Sequence, residues 1–592
     1  MLNLADTYSH AFKLHQAGRL VEAETFYRAI IADEPRHAGT HHLIGLVQHQ
    51  LGRNDAALLS IKEAIALDDS EPNYHNNLGS VYRAFDRRTE AAACYRHAIA
   101  LKKDFAEAHA NLGMVLQDEG QFSNAQREFE TALALKPDYA LALFNLGNVL
   151  AMRGEAEKAV DYYLKAIQSD PGFVDAYNNL GAALSELGQL DQAAECYRCV
   201  LAIQPNNVAA HNNLGNVLAQ RDELAAASQS FAQAIRLQPH YVEAHINLGN
   251  VFLEDGKPAE ADAAYRRALA LDPTNENAHR FRGLACLVQG GLFEGWREWR
   301  WNVAAAQRFT QPEWRGEDLN GATILIHAEQ GFGDTIHFAR YLPMVAERGG
   351  RVVVEAPVEL HRLIASMPGV DEVYAFGDRL PEFAWHCPLL SLPIAFNTEL
   401  ASIPATTSYF EADAETVSDW RRRLDHSGLK VGLVWAGRPE HKRDRHRSLS
   451  LSALAPLAPI DNVSFFALQK GAAVSQADHA PAGMRIEVLA PFFADFADTA
   501  AAIMALDLVI TVDTSVAHLA GALGKPVWVL LPYAPDWRWL EQRGDSPWYP
   551  TARLFRQSAA RRWEPVMVAV ADALDELANG AKPQSVRQTT SA

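Results

Sequence analysis

Residues 178–205 read NNLGAALSELGQLDQAAECYRCVLAIQP, and this stretch decides how the first half of the chain folds. It carries Gly181, then Ala193 twelve residues on, Tyr197 four beyond that, and Pro205 at its end. Working outward, the same positions return at a fixed pitch. Glycines stand at Gly45, Gly79, Gly113, Gly147, Gly181, Gly215, Gly249 and Gly283, every interval being 34 residues. Ala57, Ala91, Ala125, Ala159, Ala227 and Ala261 repeat the alanine, and Tyr95, Phe129, Tyr163, Phe231 and Tyr265 repeat the aromatic. Pro137, Pro171, Pro239 and Pro273 repeat the proline. The small residues let two antiparallel helices approach closely, the aromatic is expected to fill the gap to the next unit, and the proline stops the second helix.

A 34-residue unit of this composition resembles the tetratricopeptide repeat. About eight full units are expected from residue 4, with Ala11 at the first glycine position, and a degenerate ninth from 276. The second helix of that ninth unit, GLFEGWREWRW, is aromatic enough to dock against whatever follows. Asn77, Asn111, Asn145, Asn179, Asn213 and Asn247 recur at one helical position, where an amide can grip an extended peptide backbone whatever its sequence. They form the expected acceptor groove for a protein or peptide partner. Their other reading is hydrogen bonding to neighbouring repeats. The ladder resembles the one lining the repeats of eukaryotic O-GlcNAc transferases.

Past Thr310 the pitch is lost, and short apolar runs alternate with helical stretches, as in parallel α/β sheets. The expected fold class is an α-solenoid followed by two Rossmann-like lobes. The expected domains are a repeat superhelix over 1–303, a connector over 304–321, a first lobe over 322–412, a linker helix over 413–429, a second lobe over 430–579 and a disordered tail over 580–592.

Bulk properties narrow the function classes. The net charge is −18, with 38 acidic against 27 basic residues in 1–303 and 34 against 27 in the remainder, so neither half is built to coat nucleic acid. No apolar run is long enough for a membrane span and the N-terminus has no secretory pattern, so a cytoplasmic location is expected. Five cysteines, Cys94, Cys196, Cys199, Cys286 and Cys387, read as reduced thiols. The Cys196–Cys199 pair lacks a second pair for zinc and reads as helix packing.

Three segments of the second half could carry chemistry. In Gly331-Phe332-Gly333-Asp334-Thr335-Ile336-His337, between a strand and a helix, Asp334 reads as a general base for an acceptor hydroxyl or as an N-cap. In Asp513-Thr514-Ser515-Val516-Ala517-His518, a strand gives way to a helix whose N-terminus suits a diphosphate, or is simply capped. The loop Arg438 to Ser448, with Lys442, Arg443, Arg445 and Arg447, could neutralise a leaving nucleoside diphosphate or lie solvated. Gly331, Gly333, Lys470 and Arg445 are expected at the cleft. A further segment, PYAPDWRWLEQRGDSPWYP (532–550), is expected to rim the cleft, where Trp537 and Trp539 could stack on a base or sugar or simply pack. No Asp-x-Asp triad occurs in this half, so neither a metal nor a cofactor is expected.

With these residues assembled, residues 322–578 resemble glycosyltransferase family 9, the heptosyltransferase group of two-lobed GT-B fold. The resemblance rests on G-D-T-I-H and V-D-T-S-V-A-H-L-A-G-A-L. It implies Asp334 as catalytic base, Asp513, Thr514, Ser515 and His518 around the donor diphosphate, and Arg447 steadying the phosphates. Where the family has lysine this chain has Arg447, and where it has glycine after D-T this chain has Ser515. Repeats joined to such a domain are organised like an O-GlcNAc transferase. The implied function is inverting, metal-independent transfer from a nucleotide-sugar to a protein acceptor. An envelope polysaccharide transferase and a non-catalytic scaffold are the alternatives.

Overall fold

The computed structural model describes residues 4–301, 308–441, 444–559 and 562–580. Lys442, Arg443 and all but the first residue of the expected tail lie outside them. The chain divides into two compact units, Met1–Pro239 and His240–Ala592.

The first unit is a run of helix pairs, of which Val174–Glu186 with Leu190–Ile203 is representative. In the pairs that carry both a glycine and an aromatic, the two meet. A Cβ built on Gly181 would fall 2.8 Å from the Tyr197 ring, and one on Gly147 2.6 Å from the Tyr163 ring. The aromatic therefore lies on the glycine of its own repeat, and at Tyr265 it also faces the next unit as expected, its ring centroid 6.2 Å from that of Phe281. The alanine twelve residues after the glycine is fully buried, as at Ala159, Ala193 and Ala227. Between the helices of the quoted repeat, Gly188 adopts φ +73°. The N–H of Gln189 then donates to Leu184 O at 2.8 Å and closes the first helix.

The second unit opens with two further pairs, Val242–Glu254 with Pro258–Leu271 and Glu276–Val288 with Leu292–Trp299, which complete eight full repeats and a shorter ninth. The ninth docks as its aromatic content suggested. Trp296 is buried, with its ring centroid 4.8 Å from that of Trp537 and 5.6 Å from that of Phe338.

Beyond it lie two wholly parallel sheets. The first has strands β1 (Thr323–His327), β2 (Arg351–Ala356), β3 (Glu372–Ala375) and β4 (Trp385–Pro388), in the order β3-β2-β1-β4. The second has β5 (Leu429–Val434), β6 (Val463–Ala467), β7 (Ile486–Val488), β8 (Leu508–Val512), β9 (Val527–Leu531) and β10 (Ala552–Arg556), in the order β10-β9-β8-β5-β6-β7. Strands β8 and β9 are buried along their whole length, the mark of a strand covered on both faces. The helix Ala414–Arg423 lies between the two sheets in sequence, as expected.

Three local expectations change. The stretch 334–347, which reads in sequence as one helix, is two short helices, Phe332–Phe338 and Leu342–Ala346, joined by a 3-10 turn, with Pro343 in the first turn of the second. The run AWHCPLLSL (384–392), which reads in sequence as a strand, is strand only to Pro388, because proline ends the pairing and Leu392–Ala395 turns helical. Strand β10 was not anticipated. No helix among the described residues is long and apolar enough to cross a membrane.

Candidate active site

In open parallel sheets, ligands bind beyond the carboxyl ends of strands where the order reverses. Strand β1 has neighbours on both sides in the first sheet, and β5 and β8 are neighbours in the second. The three segments singled out in the sequence follow these strands, and the structure brings residues of all three together.

The segment after β1 enters the helix Phe332–Phe338 through Gly331. The segment after β8 enters the helix Ser515–Ala522 through Thr514. These helices meet where neither has bulk. A Cβ on Gly333 would fall 3.0 Å from His518 Cδ2 and 3.7 Å from Ser515 Cα. Thr514 does not cap its helix through its side chain, and its hydroxyl lies 3.1 Å from that of Thr511.

Behind this contact, one phenol ties the two lobes. The Tyr549 hydroxyl lies 2.9 Å from His337 Nδ1 and 3.0 Å from His518 Nδ1. Burial, then the charges of nearby arginines, holds both histidines well below the usual imidazole range, so both are neutral. A phenol has one proton to give, so one ring accepts it and the other donates to the oxygen. His337 Nε2 has no partner among the described residues. An orphaned buried N–H is rarer than an orphaned acceptor, which assigns the Nδ1 proton to His337. His518 then carries its proton on Nε2, 3.9 Å from Asp513 Oδ1. Arg340 braces the same junction. Its Nε donates to His337 O and its Nη1 to Trp548 O, each at 2.8 Å, and its guanidinium sits 4.7 Å from the centre of the Tyr549 ring.

The charged layer lies beside these histidines. Asp334 is the third residue of its helix and caps nothing; its Oδ1 accepts from Arg538 Nη2. Arg538 Nη1 also donates to Asp536 Oδ1 at 2.7 Å. The guanidinium is buried against the Trp537 ring, 4.3 Å from its centre. Burial works against the charge on Arg538, but Asp536, Asp334 and Asp513 more than offset it and raise its pKa. The Asp513 carboxyl is pushed up to about 6, first by burial and then by Asp536, against the pull of Arg447. Arg447 reaches across from its loop: Nη1 donates to Asp513 O at 2.9 Å and Nε to Asp444 Oδ1 at 3.2 Å. Gly437 permits this, since a Cβ there would fall 2.6 Å from Arg447 Nη2.

The remaining expected residues fall elsewhere. Arg445 is exposed, and its Nε donates to His446 Nε2 at 3.0 Å. Lys470, expected at the cleft, donates to Phe493 O at 3.1 Å. Trp537 and Trp539 are buried and pack, Trp539 stacking on His518 with centroids 5.4 Å apart. Sequence reasoning placed Asp536, Arg538 and Tyr549 in the cleft-rim segment 532–550 without singling them out, and missed Arg340. Its one available signal was Asp536-Trp537-Arg538-Trp539, an arginine set between two large apolar residues.

The asparagines make mostly internal bonds. Asn77 pairs with His42 Nε2 at 2.8 Å, Asn111 donates to Asn76 at 2.9 Å and Asn179 to Asn148 at 2.7 Å, each in the preceding repeat. Asn145 is buried and donates to Leu141 O at 2.7 Å. Asn213 and Asn247 are partly buried.

Comparison with known proteins bears on both parts. Tetratricopeptide repeat models match 4–33, 38–71, 75–107, 110–172, 174–207, 215–256 and 242–275. The glycosyltransferase family 9 (heptosyltransferase) model matches 461–539, which contains Asp513, Thr514, Ser515, His518 and Arg538. The chain is a tetratricopeptide array fused to a heptosyltransferase-like domain. Among curated proteins, it is 28% identical over 327 residues to protein FlbA of Caulobacter vibrioides, covering 50% of this chain and 54% of FlbA. It thus spans about half the length of that relative. Among solved structures, it matches the TPR protein YrrB at 23% identity and a TM-score of 0.28, over 31% of this chain and 95% of YrrB. It also matches PilF of Pseudomonas aeruginosa at 22% identity and a TM-score of 0.33, over 36% of this chain and 97% of PilF.

Proposed function

We propose that this protein transfers a sugar from a nucleotide-sugar to a protein or peptide acceptor presented by the repeats, with inversion and without a metal, in a cleft of GT-B type. The observation that carries the reading is the meeting of Gly333 with Ser515 and His518, which sets the acceptor-side loop against the diphosphate-side helix. The donor diphosphate lies at the N-terminus of Ser515–Ala522, where backbone N–H groups and the helix dipole favour an anion. Thr514 and Ser515 add hydroxyls, and Arg447 adds a cation. Asp334 takes the proton of the acceptor hydroxyl as its oxygen attacks the anomeric carbon. The bond to the diphosphate breaks on the opposite face, and the electron pair leaves on the phosphate oxygen. One displacement of this kind inverts the centre.

Incubating the full chain with UDP-, GDP-, ADP- and CMP-sugars, with and without EDTA, tests this directly. The expected result is EDTA-resistant release of one nucleoside diphosphate from a UDP-, GDP- or ADP-sugar, with no CMP released from CMP-sugars, which lack the diphosphate, and this release is lost in Asp334→Ala while donor binding persists. Mass spectrometry then finds the sugar on protein in cells that carry the chain. An unchanged proteome with a shortened envelope glycan assigns the acceptor to polysaccharide instead. Failure of a folded chain to bind any donor removes the transferase reading.

A further inference from the structure

We propose that Arg538 is a second donor-phosphate ligand and that it exchanges partners during the reaction. It leaves Asp334 for the donor diphosphate, and that exchange releases Asp334 to act as base. This inference rests on the transferase reading given above and adds to it a residue and an order of events.

Three observations lead there. First, Arg538 is buried, yet its Nε has no hydrogen-bond partner among the described residues. A guanidinium has five N–H donors in a planar fork suited to two oxygens of one phosphate. Here Nη1 is used by Asp536, Nη2 by Asp334, and the remaining edge is unspent. Second, the layer is acidic. Asp334, Asp513, Asp536 and Asp444 surround Arg447 and Arg538. A diphosphate entering this layer must displace a carboxylate from an arginine or face uncompensated repulsion. Asp536 is the N-cap of the turn that carries Arg538 and also accepts from its backbone N–H at 3.1 Å, so it is the fixed partner. Asp334 comes from the other sheet's helix and is the replaceable one. Third, Arg447 Nη1 donates to Asp513 O at 2.9 Å, just before the helix Ser515–Ala522, while Arg538 is held by Asp334, the neighbour of the Gly333 that meets Ser515, so the two cations approach that helix start from two sides.

The consequence is an order. While paired to Arg538, Asp334 has its Oδ1 occupied by the Nη2 donor and cannot offer that oxygen to the acceptor hydroxyl. Once the fork turns to the diphosphate, that oxygen is free to accept from the acceptor hydroxyl. The leaving diphosphate oxygen, which gains the electron pair of the broken bond, keeps the same arginine as its counter-charge. Donor binding therefore precedes activation of the acceptor.

Calorimetric titration of the full chain with UDP, GDP, ADP and CDP tests the exchange through a double-mutant cycle on Asp334→Asn and Arg538→Gln. The nucleoside diphosphate that binds wild type is expected to bind Asp334→Asn about tenfold tighter, because Arg538 no longer has a competing partner. It is expected to bind Arg538→Gln at least tenfold more weakly, and in the double variant the gain from Asp334→Asn disappears. Should Arg538→Gln fail to fold, the same cycle is run with Arg538→Lys, which retains a cation but not the fork. Unchanged or weaker binding in Asp334→Asn overturns the exchange while leaving the transferase reading in place. A gain that persists without Arg538 also overturns it, since simple relief of repulsion then suffices. Absence of binding to wild type by all four nucleotides overturns both.

Discussion

Replacing Asp513 with asparagine should remove a pH-dependent weakness from the second unit. The carboxyl titrates at about 6 against an unperturbed value near 3.8, with burial the leading cause and Asp536 the next. A carboxyl whose folded pKa lies above its unfolded pKa keeps its proton longer in the folded chain. Between about pH 4 and pH 6 the folded state binds more protons than the unfolded state, so stability falls as pH rises through that window. Below it both states are protonated and above it both are ionised, so this residue adds no slope there. The gap between the two values, at about 1.4 kcal/mol per unit, amounts to about 3 kcal/mol. All 12 tryptophans lie from Trp296 to Trp563, so indole fluorescence reports the second unit alone even in the full chain. Urea titrations followed by that signal at pH 4, 5, 6 and 7 should show the stability of Asp513→Asn gaining on wild type by about 3 kcal/mol across the series. Parallel pH curves for the two proteins would falsify the argument and mean that Arg447 and Arg538 cancel the cost of ionisation.

Two further substitutions probe the packing. Tyr549→Phe strips the hydroxyl shared by His337 and His518 and leaves two buried ring nitrogens unpaired. A loss of about 2–4 kcal/mol in fluorescence-detected urea unfolding is expected, and a loss under about 0.5 kcal/mol would show that the rings re-pair without it. Gly147→Ala drives a methyl to 2.6 Å from the Tyr163 ring. Overpacking of about 1–3 kcal/mol outweighs a helix-propensity gain of about 1 kcal/mol, so circular dichroism should report a net loss, and a stabilised variant contradicts the lock.

The repeats were readable because their information is local and periodic: a glycine and the aromatic sixteen residues later are within reach of each other on one hairpin. The buried strands were readable as short apolar runs. Strand β10 was not, because ARLFR carries two arginines and sits at a sheet edge, where an apolar run is not required. The ends of the strands located Asp334, Asp513 and Arg447, but not what they touch. Asp334 and Arg538 are 204 residues apart in sequence, and His337 and Tyr549 are 212 apart. No spacing rule links such pairs; only the packing of one sheet's helix on the other's joins them. For Lys470, too, a position after a strand does not say what the side chain touches, which is Phe493 O.

The closure of each hairpin on itself has a consequence for how such a chain can change over generations. Tyr163 locks onto Gly147 and Tyr197 onto Gly181, each within a single unit. A recombination event that removes or copies one whole 34-residue unit leaves every surviving lock intact. Gene duplication can therefore lengthen or shorten the array in whole steps, varying what it presents while the transferase-like end is inherited without alteration.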